Sequence, residues 1–387
     1  MRQIWAVLLL AATLSGCAID DSGPVRSVWR PLDAKATTSH VVYVTDREPD
    51  AAAAAGYSTR WAGKPTCGVA QTVVPAALLP NEEPKYGYVA KTNPAACASG
   101  NMRLGGAIAL IAAQAEARHC RSVFLFVHGF HTGFDGAALR AAQVAHDAKT
   151  GCAVAVFSWS AEINTDHYVS DIEHSDYAQP LLAEFLRELS ESGLRVTILA
   201  HSLGTRLTLM TLSGLGQDRT PPLPGFVDEL VLAAGDIGVD PKNNDFDKLM
   251  AGAAPFAKRT TIYVSSYDSV LEISRREHGG VPRLGFSPNL TFTADDKSHV
   301  VDIIDASLAP ADRLDHSYYA MSRETIADMA LVLRGVPLEA RLKPADGAAT
   351  LVCGTACTPN YRLKTDGTPR FITRLILNVL PIIPLVR

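Results

Sequence analysis

The sequence predicts an α/β fold: a mainly parallel, doubly wound sheet with helices on both faces. Short apolar runs, such as Ser122–Val127 and Ala153–Phe157, are typical of strands that are buried on both faces. Amphipathic stretches such as Phe134–Lys149 separate these runs and carry apolar residues at helical spacing. A small-residue turn at 200–204 joins one such strand to one such helix. This alternation of strand and helix is the pattern that βαβ units produce.

The predicted elements alternate through most of the chain. The predicted strands are 40–45, 122–127, 153–157, 194–200, 226–233, 259–265 and 299–304. The predicted helices are 106–118, 134–149, 175–192, 203–215 and 322–334. Residues 50–105 contain an alanine run, many Gly and Pro residues and two cysteines, and we expect them to be irregular. Residues 336–387 break the alternation and are interpreted as a C-terminal extension, with an apolar, proline-interrupted end.

The chain begins with the pattern of a targeting segment. Arg2 is followed by the apolar run Ile4–Leu14, and residues 1–16 would span only about 24 Å as a helix, which is short of a bilayer core. The sequence Leu-Ser-Gly-Cys that ends at Cys17 resembles a bacterial lipobox. The resemblance implies cleavage before Cys17 and lipidation of its thiol, with 17–39 as a tether. A plain signal peptide with an incidental cysteine is the alternative.

This segment predicts the location of the protein. Lipidation would hold the chain in the bacterial cell envelope. Ala18 follows Cys17, and no Asp comes directly after the cysteine. That favours the periplasmic face of the outer membrane if the cell is Gram-negative.

Composition excludes several function classes. Apolar residues make up 47% of the 387 residues, so a substantial core is expected. Lys and Arg total 36 against 40 Asp and Glu, without a basic block, so nucleic acid is not an expected partner. The three histidines at 131, 167 and 174 lack the spacing of known metal motifs, and no P-loop or G-x-G-x-x-G occurs. We therefore expect neither a metal nor a cofactor.

The turn Ala200-His201-Ser202-Leu203-Gly204 is the sharpest chemical signal in the chain. It follows an apolar strand and begins a helix, which is the context of a nucleophile elbow. Ala200 stands where the usual G-x-S-x-G motif has its first glycine. A serine that caps a buried strand–helix turn is the structural alternative.

A second motif follows the strand 122–127. His128-Gly129-Phe130 occupies the loop that supplies one oxyanion-hole amide in α/β-hydrolases, and the other amide comes from the residue after the nucleophile. The predicted donors are therefore the backbone N–H groups of Phe130 and Leu203. The alternative is that His128-Gly129 is only a tight turn.

The general base must come from one of the histidines after Ser202. His299 opens a strand and would lie at the sheet edge opposite the nucleophile, while His278 precedes that strand. His316 lies beyond the strand, at the edge where sites form in open α/β sheets. We therefore predict His316 as the base.

Two aspartates are candidates for the acid that orients this base. Asp268 follows the strand 259–265, and Asp236 follows the strand 226–233. Most α/β-hydrolases take the acid after the later of these strands. We predict Asp268, with Asp236 as the alternative.

Taken together, the motifs resemble a family of bacterial α/β-hydrolases known as domain of unknown function 900. The matching segments are Val44–Arg47, Phe126–Phe130, Phe157–Trp159, Ala200–Gly204, Tyr263–Asp268, Arg283–Gly285 and His316–Tyr318. The resemblance covers roughly residues 40–335 and implies an α/β-hydrolase domain there, with a triad at Ser202, Asp268 and His316. It implies little about the substrate.

The hydrolase fold also suggests further residues. Cys120 and Cys152 precede strands that would be neighbours, so the fold implies a disulfide between them. The remaining pairs would be Cys67 with Cys97 and Cys353 with Cys357. The loops after the strands would shape the pocket, and the candidate substrate-binding residues are His131, Trp159 and Tyr168, with Phe130 beside them.

The sequence thus predicts a serine hydrolase anchored in the envelope, most consistent with carboxylic-ester hydrolysis through an acyl-enzyme intermediate. The substrate would be a small-molecule or lipid ester. Two alternatives stay open: a lipase or phospholipid acyl hydrolase, and a non-catalytic interaction module on a hydrolase fold. The oligomeric state is not predicted.

Overall fold

The computed structural model describes residues 36–75, 87–217, 224–239, 245–286, 300–309, 314–342, 351–353 and 360–364. The predicted signal peptide, the lipidation site Cys17, most of the tether and the apolar C-terminal end lie outside these residues, as does Cys357 of the third predicted disulfide. Within them, no helix is both long and apolar enough to cross a bilayer.

One sheet organises the described residues. Its strands are β1 (Thr37–Pro49), β2 (Tyr57–Val74), β3 (Tyr88–Ala95), β4 (Ser122–Val127), β5 (Ala153–Ser158), β6 (Arg195–His201), β7 (Val227–Ala233), β8 (Arg259–Val264), β9 (Val300–Asp305), β10 (Leu351–Cys353) and β11 (Asn360–Leu363). The strand order is β10-β11-β9-β8-β7-β6-β4-β5-β1-β2-β3. All pairs from β11 to β1 are parallel, and the pairs at both ends are antiparallel.

Helices cover both faces of this sheet. They are α1 (Gly105–Ala117), α2 (Phe134–Asp147), α3 (Tyr168–Glu191), α4 (Leu203–Leu215), α5 (Asp245–Ala253), α6 (Ser269–Glu277), α7 (Tyr318–Met321), α8 (Arg323–Val332) and α9 (Leu338–Leu342). Side chains alternate between the faces of each strand, so Leu125 joins the core under α1, α3 and α4, while Phe124 and Phe126 join the core under α2, α7 and α8. The predicted fold class is confirmed.

The expectation that residues 50–105 are irregular is wrong, because the strands β2 and β3 lie within this segment. β2 pairs antiparallel with β1, β3 pairs antiparallel with β2, and the register of the β1–β2 pair shifts twice between Thr45 and Pro49. Their burial follows a partial alternation rather than a continuous apolar run, so the strand signal in the sequence is weak. Gly68 also sits where a side chain would collide with Tyr43, which explains a glycine inside a strand.

Two disulfides join segments that the sheet brings together. Cys67 in β2 is bonded to Cys97 just after β3, with their Cα atoms 5.1 Å apart. Cys120 and Cys152 precede the neighbouring strands β4 and β5 and are bonded to each other, with Cα atoms 5.9 Å apart.

Two boundaries differ from the sequence prediction. Helix α3 begins at Tyr168 rather than at the predicted residue 175. The prediction missed its first two turns because they are largely polar and carry no apolar periodicity. The C-terminal extension adds β11 to the sheet beside β9, so it continues the hydrolase sheet rather than lying apart from it. Strands of three and four residues are too short to give a sequence signal.

Candidate active site

Ser202 lies in the sharp turn between β6 and α4. Its backbone has φ 52° and ψ −123°, a left-handed conformation that residues other than glycine rarely adopt. Three backbone hydrogen bonds hold this turn: the Ser202 N–H donates to the Ala233 carbonyl, and the Ser202 carbonyl accepts from Thr205 and Asp236. The loop after β7 therefore fixes the strained serine.

Two glycines let the neighbouring loop pack directly against this turn. A Cβ atom on Gly129 would lie 2.6 Å from the Ser202 Cβ atom, and one on Gly204 would collide with the carbonyl oxygen of His128. Only glycine fits at either position. The close approach brings the 128–130 loop against Ser202, as the predicted oxyanion hole at Phe130 and Leu203 requires.

His316 is paired with Asp268. Its Nδ1 atom lies 2.8 Å from Oδ2 and 3.1 Å from Oδ1 of the carboxylate. Asp268 is completely buried, and its Oδ1 atom also accepts a hydrogen bond from the Leu271 N–H at the start of α6. A carboxylate at Nδ1 favours the tautomer that leaves Nε2 as a proton acceptor. The pair thus has the arrangement of an oriented general base.

His201 packs against this base from the elbow. Its ring centroid lies 4.6 Å from that of His316 and 4.3 Å from that of Tyr319. Burial, together with the charge that His316 can carry, lowers the pKa of His201 well below its ordinary value. His201 is therefore neutral and adds no positive charge beside His316. This role of His201 was not predicted from the sequence, although the residue occupies the variable position of the elbow motif.

Asp236, the alternative acid, serves another partner. Its Oδ1 accepts hydrogen bonds from Arg283 Nε (2.7 Å) and from the Ser274 hydroxyl (2.7 Å), and its Oδ2 accepts one from the Tyr168 hydroxyl (2.6 Å). His316 is not among these partners, so the structure does not support Asp236 as the orienting acid. A buried arginine 47 residues further along the chain accounts for the buried carboxylate.

Tyr168, a predicted substrate-binding residue, lies beside the 128–130 loop, which we call the oxyanion loop after its predicted role. Its ring meets that of Phe130 edge-on at 5.3 Å and that of His278 edge-on at 5.9 Å. Burial and the neighbouring Asp236 raise the pKa of Tyr168, so its hydroxyl remains a hydrogen-bond donor. The row Phe130–Tyr168–His278 connects the oxyanion loop with the loop after α6.

The proposed substrate contact at Trp159 is wrong. Trp159 is fully buried and therefore cannot meet a substrate. Its indole Nε1 donates to the His128 carbonyl (2.8 Å), and its ring stacks on that of His128 at 5.1 Å. It supports the oxyanion loop from within the core. His131, by contrast, is only partly buried, has φ 57° and lies 5.7 Å from the Phe130 ring, so it remains at the loop surface.

Arg47 is a further supporting residue, which the sequence analysis did not place in the site. Its fully buried guanidinium donates to the Thr132 carbonyl (2.7 Å), the Ala161 carbonyl (2.9 Å) and the Ser158 hydroxyl (3.1 Å). It thereby ties the loop after β4 to the loop after β5. Burial raises the pKa of the adjacent Asp46 to about 7, against the opposing effect of Arg47. An Asp-Arg pair that ends an apolar strand was the available signal.

A cavity of about 640 Å³ opens beside the elbow. Its walls come from α3, α4, α5 and the segments that follow β7 and α6, and they combine apolar and cationic side chains. The lining residues are Ile172, Leu203, Arg206, Met210, Ile237, Gly238, Lys248, Leu249, His278, Val281 and Arg283. Across the described part of the chain, His, Cys, Asp and Glu side chains do not gather in groups that could hold a metal ion.

Comparisons with solved structures give distant likenesses. An esterase from the hyperthermophilic archaeon Pyrobaculum calidifontis is 13% identical, with a TM-score of 0.31 over 55% of this chain and 76% of that chain. Esterase B from Lactobacillus rhamnosis is 11% identical, with a TM-score of 0.35 over 87% of this chain and 96% of that chain. Scores this low carry no argument about activity. No protein with a curated description matches the chain.

The family assignment rests on a different comparison. A model described as an α/β hydrolase of unknown function (DUF900) matches residues 108–334, which is more than half of the chain. The matched range contains the elbow, the oxyanion loop and both members of the His316–Asp268 pair. The parallel sheet with helices on both faces agrees with it. The chain therefore belongs to the DUF900 family of α/β hydrolases.

Proposed function

We propose that the protein is a serine hydrolase that cleaves carboxylic esters. The observation that carries the proposal is the contact of His316 with the buried Asp268 at the sheet edge where Ser202 stands in a strained strand–helix turn. A buried carboxylate on Nδ1 and a serine forced out of ordinary backbone geometry are both costly. Their combination is typical of nucleophilic catalysis.

The reaction would follow two acyl-transfer steps. Ser202 Oγ attacks the ester carbonyl carbon while His316 Nε2 takes the hydroxyl proton, and Asp268 stabilises the imidazolium. The Phe130 and Leu203 N–H groups receive the oxyanion. Collapse expels the alcohol, which takes the proton from His316. Water then attacks the acyl carbonyl carbon while His316 takes one of its protons. Collapse of this second intermediate breaks the bond from the acyl carbon to Ser202 Oγ, which regains its proton from His316 as the acid leaves.

The cellular setting is a second part of the proposal. The sequence pattern that ends at Cys17 supports lipidation, with residues 17–39 as a tether and 40–335 as the hydrolase domain. The protein would act in the bacterial envelope, on the periplasmic face of the outer membrane in a Gram-negative cell. Recovery of a Cys17→Ser protein from the membrane fraction, at the level of the unmodified protein, would contradict this anchoring.

Labelling of the full-length protein with a fluorophosphonate probe tests the activity. We expect the protein to label on Ser202, and Ser202→Ala and His316→Ala to lose the label because the nucleophile or its base is gone. Ser192→Ala is the matched control, since Ser192 lies at the end of α3, where its hydroxyl donates to the Leu189 carbonyl and accepts from the Leu194 N–H. Label that persists in Ser202→Ala would overturn the assignment. A folded protein that resists labelling would favour the non-catalytic interaction module.

A further inference from the structure

The cavity lies beside the turn that carries the proposed nucleophile. Leu203, which lines it, directly follows Ser202, and Ile237 directly follows Asp236, whose N–H binds the Ser202 carbonyl. Its volume of about 640 Å³ lies within the range of small-molecule sites. A group attached to an ester carbonyl that Ser202 attacks would therefore lie next to this cavity.

The lining of this cavity has two characters. One part is apolar and suits a hydrocarbon chain: Ile172, Leu203, Met210, Ile237, Leu249 and Val281. The other part is basic and consists of Arg206, Lys248 and Arg283, with His278 beside them. No Asp or Glu is among the described residues that line it. An apolar wall with clustered cations fits a molecule that is hydrophobic along its length and negatively charged at one point.

Ion pairs behind the cavity hold two of these cations in place. Arg206 Nη1 lies 2.5 Å from Asp176 Oδ1, and Arg283 Nε lies 2.7 Å from Asp236 Oδ1. Neither aspartate lines the cavity. Arg206 and Arg283 are only 21% and 6% exposed at their side chains, so their guanidinium groups are positioned before a ligand arrives. Lys248, which is exposed, contributes charge at the open side.

We propose that this cavity selects esters whose acyl chain carries a carboxylate, so that the hydrocarbon part packs on the apolar wall and the carboxylate meets the basic residues. The inference rests on the proposed serine hydrolase function and narrows its substrate class. Arginine forks and lysine ammonium groups both recognise carboxylates. A neutral acyl chain of equal length has no charged group with which these basic residues could interact.

A matched pair of substrates tests the selection in the full-length protein. Mono-4-nitrophenyl adipate and 4-nitrophenyl hexanoate have acyl chains of equal length and differ in the terminal carboxylate. We expect a higher kcat/KM for the adipate ester. In Lys248→Gln the ratio of the two kcat/KM values should fall about 3- to 10-fold, and the ratio for the unmodified protein should fall with added salt.

Lys258→Gln is the matched control for net charge. Lys258 is exposed and pairs with Asp228 at the opposite edge of the sheet, so its loss should leave the ratio unchanged. Equal kcat/KM for both esters, or an equal effect of the two lysine substitutions, would overturn the carboxylate preference while the hydrolase function stands. Absence of turnover of either ester, together with absence of fluorophosphonate labelling, would instead overturn the proposed function.

Binding provides a readout that does not depend on turnover. The Ser202→Ala protein should bind adipate more tightly than hexanoate in calorimetry, because only adipate has a second carboxylate for the basic residues. Adding Lys248→Gln should reduce that preference. If adipate and hexanoate bind Ser202→Ala equally, the cavity does not select a second carboxylate.

Discussion

The loops after β7 and β8 each place one buried aspartate at the same edge of the sheet. Asp236 is 1% exposed and Asp268 is 0% exposed, and both follow an apolar strand within four residues. Their partners differ. Asp236 accepts hydrogen bonds from a permanently charged arginine, a serine and a tyrosine. Asp268 instead accepts them from a histidine and from a backbone N–H at the start of a helix.

This difference in partners separates a structural carboxylate from the proposed catalytic one. An arginine cannot give up its proton at ordinary pH, so the Asp236–Arg283 pair stores no proton to transfer. A histidine can both accept and release a proton, so the Asp268–His316 pair can take part in proton transfer. Position at the sheet edge is therefore not enough to identify the acid, and the chemical nature of the partner decides.

The largest expected effect is on catalysis through Asp268. Asp268→Asn should lower kcat for a 4-nitrophenyl ester about 10³- to 10⁴-fold, because the amide favours the wrong histidine tautomer. Asn also caps helices well, so the hydrogen bond to the Leu271 N–H can persist and the fold should hold. Ester kinetics and circular dichroism measure the two effects. A kcat within tenfold of the unmodified value, in folded protein, would remove Asp268 from the triad.

The sequence predicted the centre of this molecule better than its ends. β4 to β8 are apolar runs separated by amphipathic helices, so their local pattern identifies them. β2 pairs with β1 in a long antiparallel ribbon with a bulge, and half-exposed strands of mixed composition give a weaker pattern. β11 forms as a strand because it pairs with β9. A strand of four residues is too short for the sequence to reveal that pairing.

The site shows the same limit. Ser202 and the oxyanion loop were predicted because their motifs are local in the chain. Asp236 stayed open as an alternative because its partner, Arg283, lies 47 residues away and nothing in the local pattern links the two. Trp159 was predicted to line the pocket because it follows a strand. The position of a single residue in the sequence does not reveal that its indole N–H donates inward, to the His128 carbonyl.

The second effect should be on stability through Asp236. Asp236→Asn leaves the Arg283 guanidinium, which is 6% exposed at its side chain, without its carboxylate. We expect the free energy of unfolding to fall by about 3–5 kcal/mol, as measured by urea denaturation. Removing the stranded charge as well, in Asp236→Asn/Arg283→Met, should cost less than the sum of the two single substitutions. A loss below about 1 kcal/mol in Asp236→Asn would mean that the pair is not a structural support.

The smallest effect should come from the Tyr168 hydroxyl, one of three donors to Asp236. Tyr168→Phe keeps the ring contacts with Phe130 and His278 and removes the 2.6 Å hydrogen bond to Asp236, together with the 3.0 Å hydrogen bond to the Ser274 hydroxyl. We therefore expect a loss of about 1–2 kcal/mol in the free energy of unfolding. Tyr177→Phe is the matched control on the same helix, because its hydroxyl bonds Glu173 at the exposed surface and should contribute less to the free energy of unfolding.

The kinetics of Tyr168→Phe then decide between two roles for this residue. If Tyr168 only supports Asp236, KM for the ester pair should follow that of Tyr177→Phe, and the loss should appear in urea denaturation. If the hydroxyl instead meets the substrate, KM should rise while the free energy of unfolding stays near that of the control. The second result would make Tyr168 a substrate-contact residue, as the sequence predicted. It would also show that the hydrogen-bonded group around Asp236 reaches the substrate cavity as well as supporting the fold.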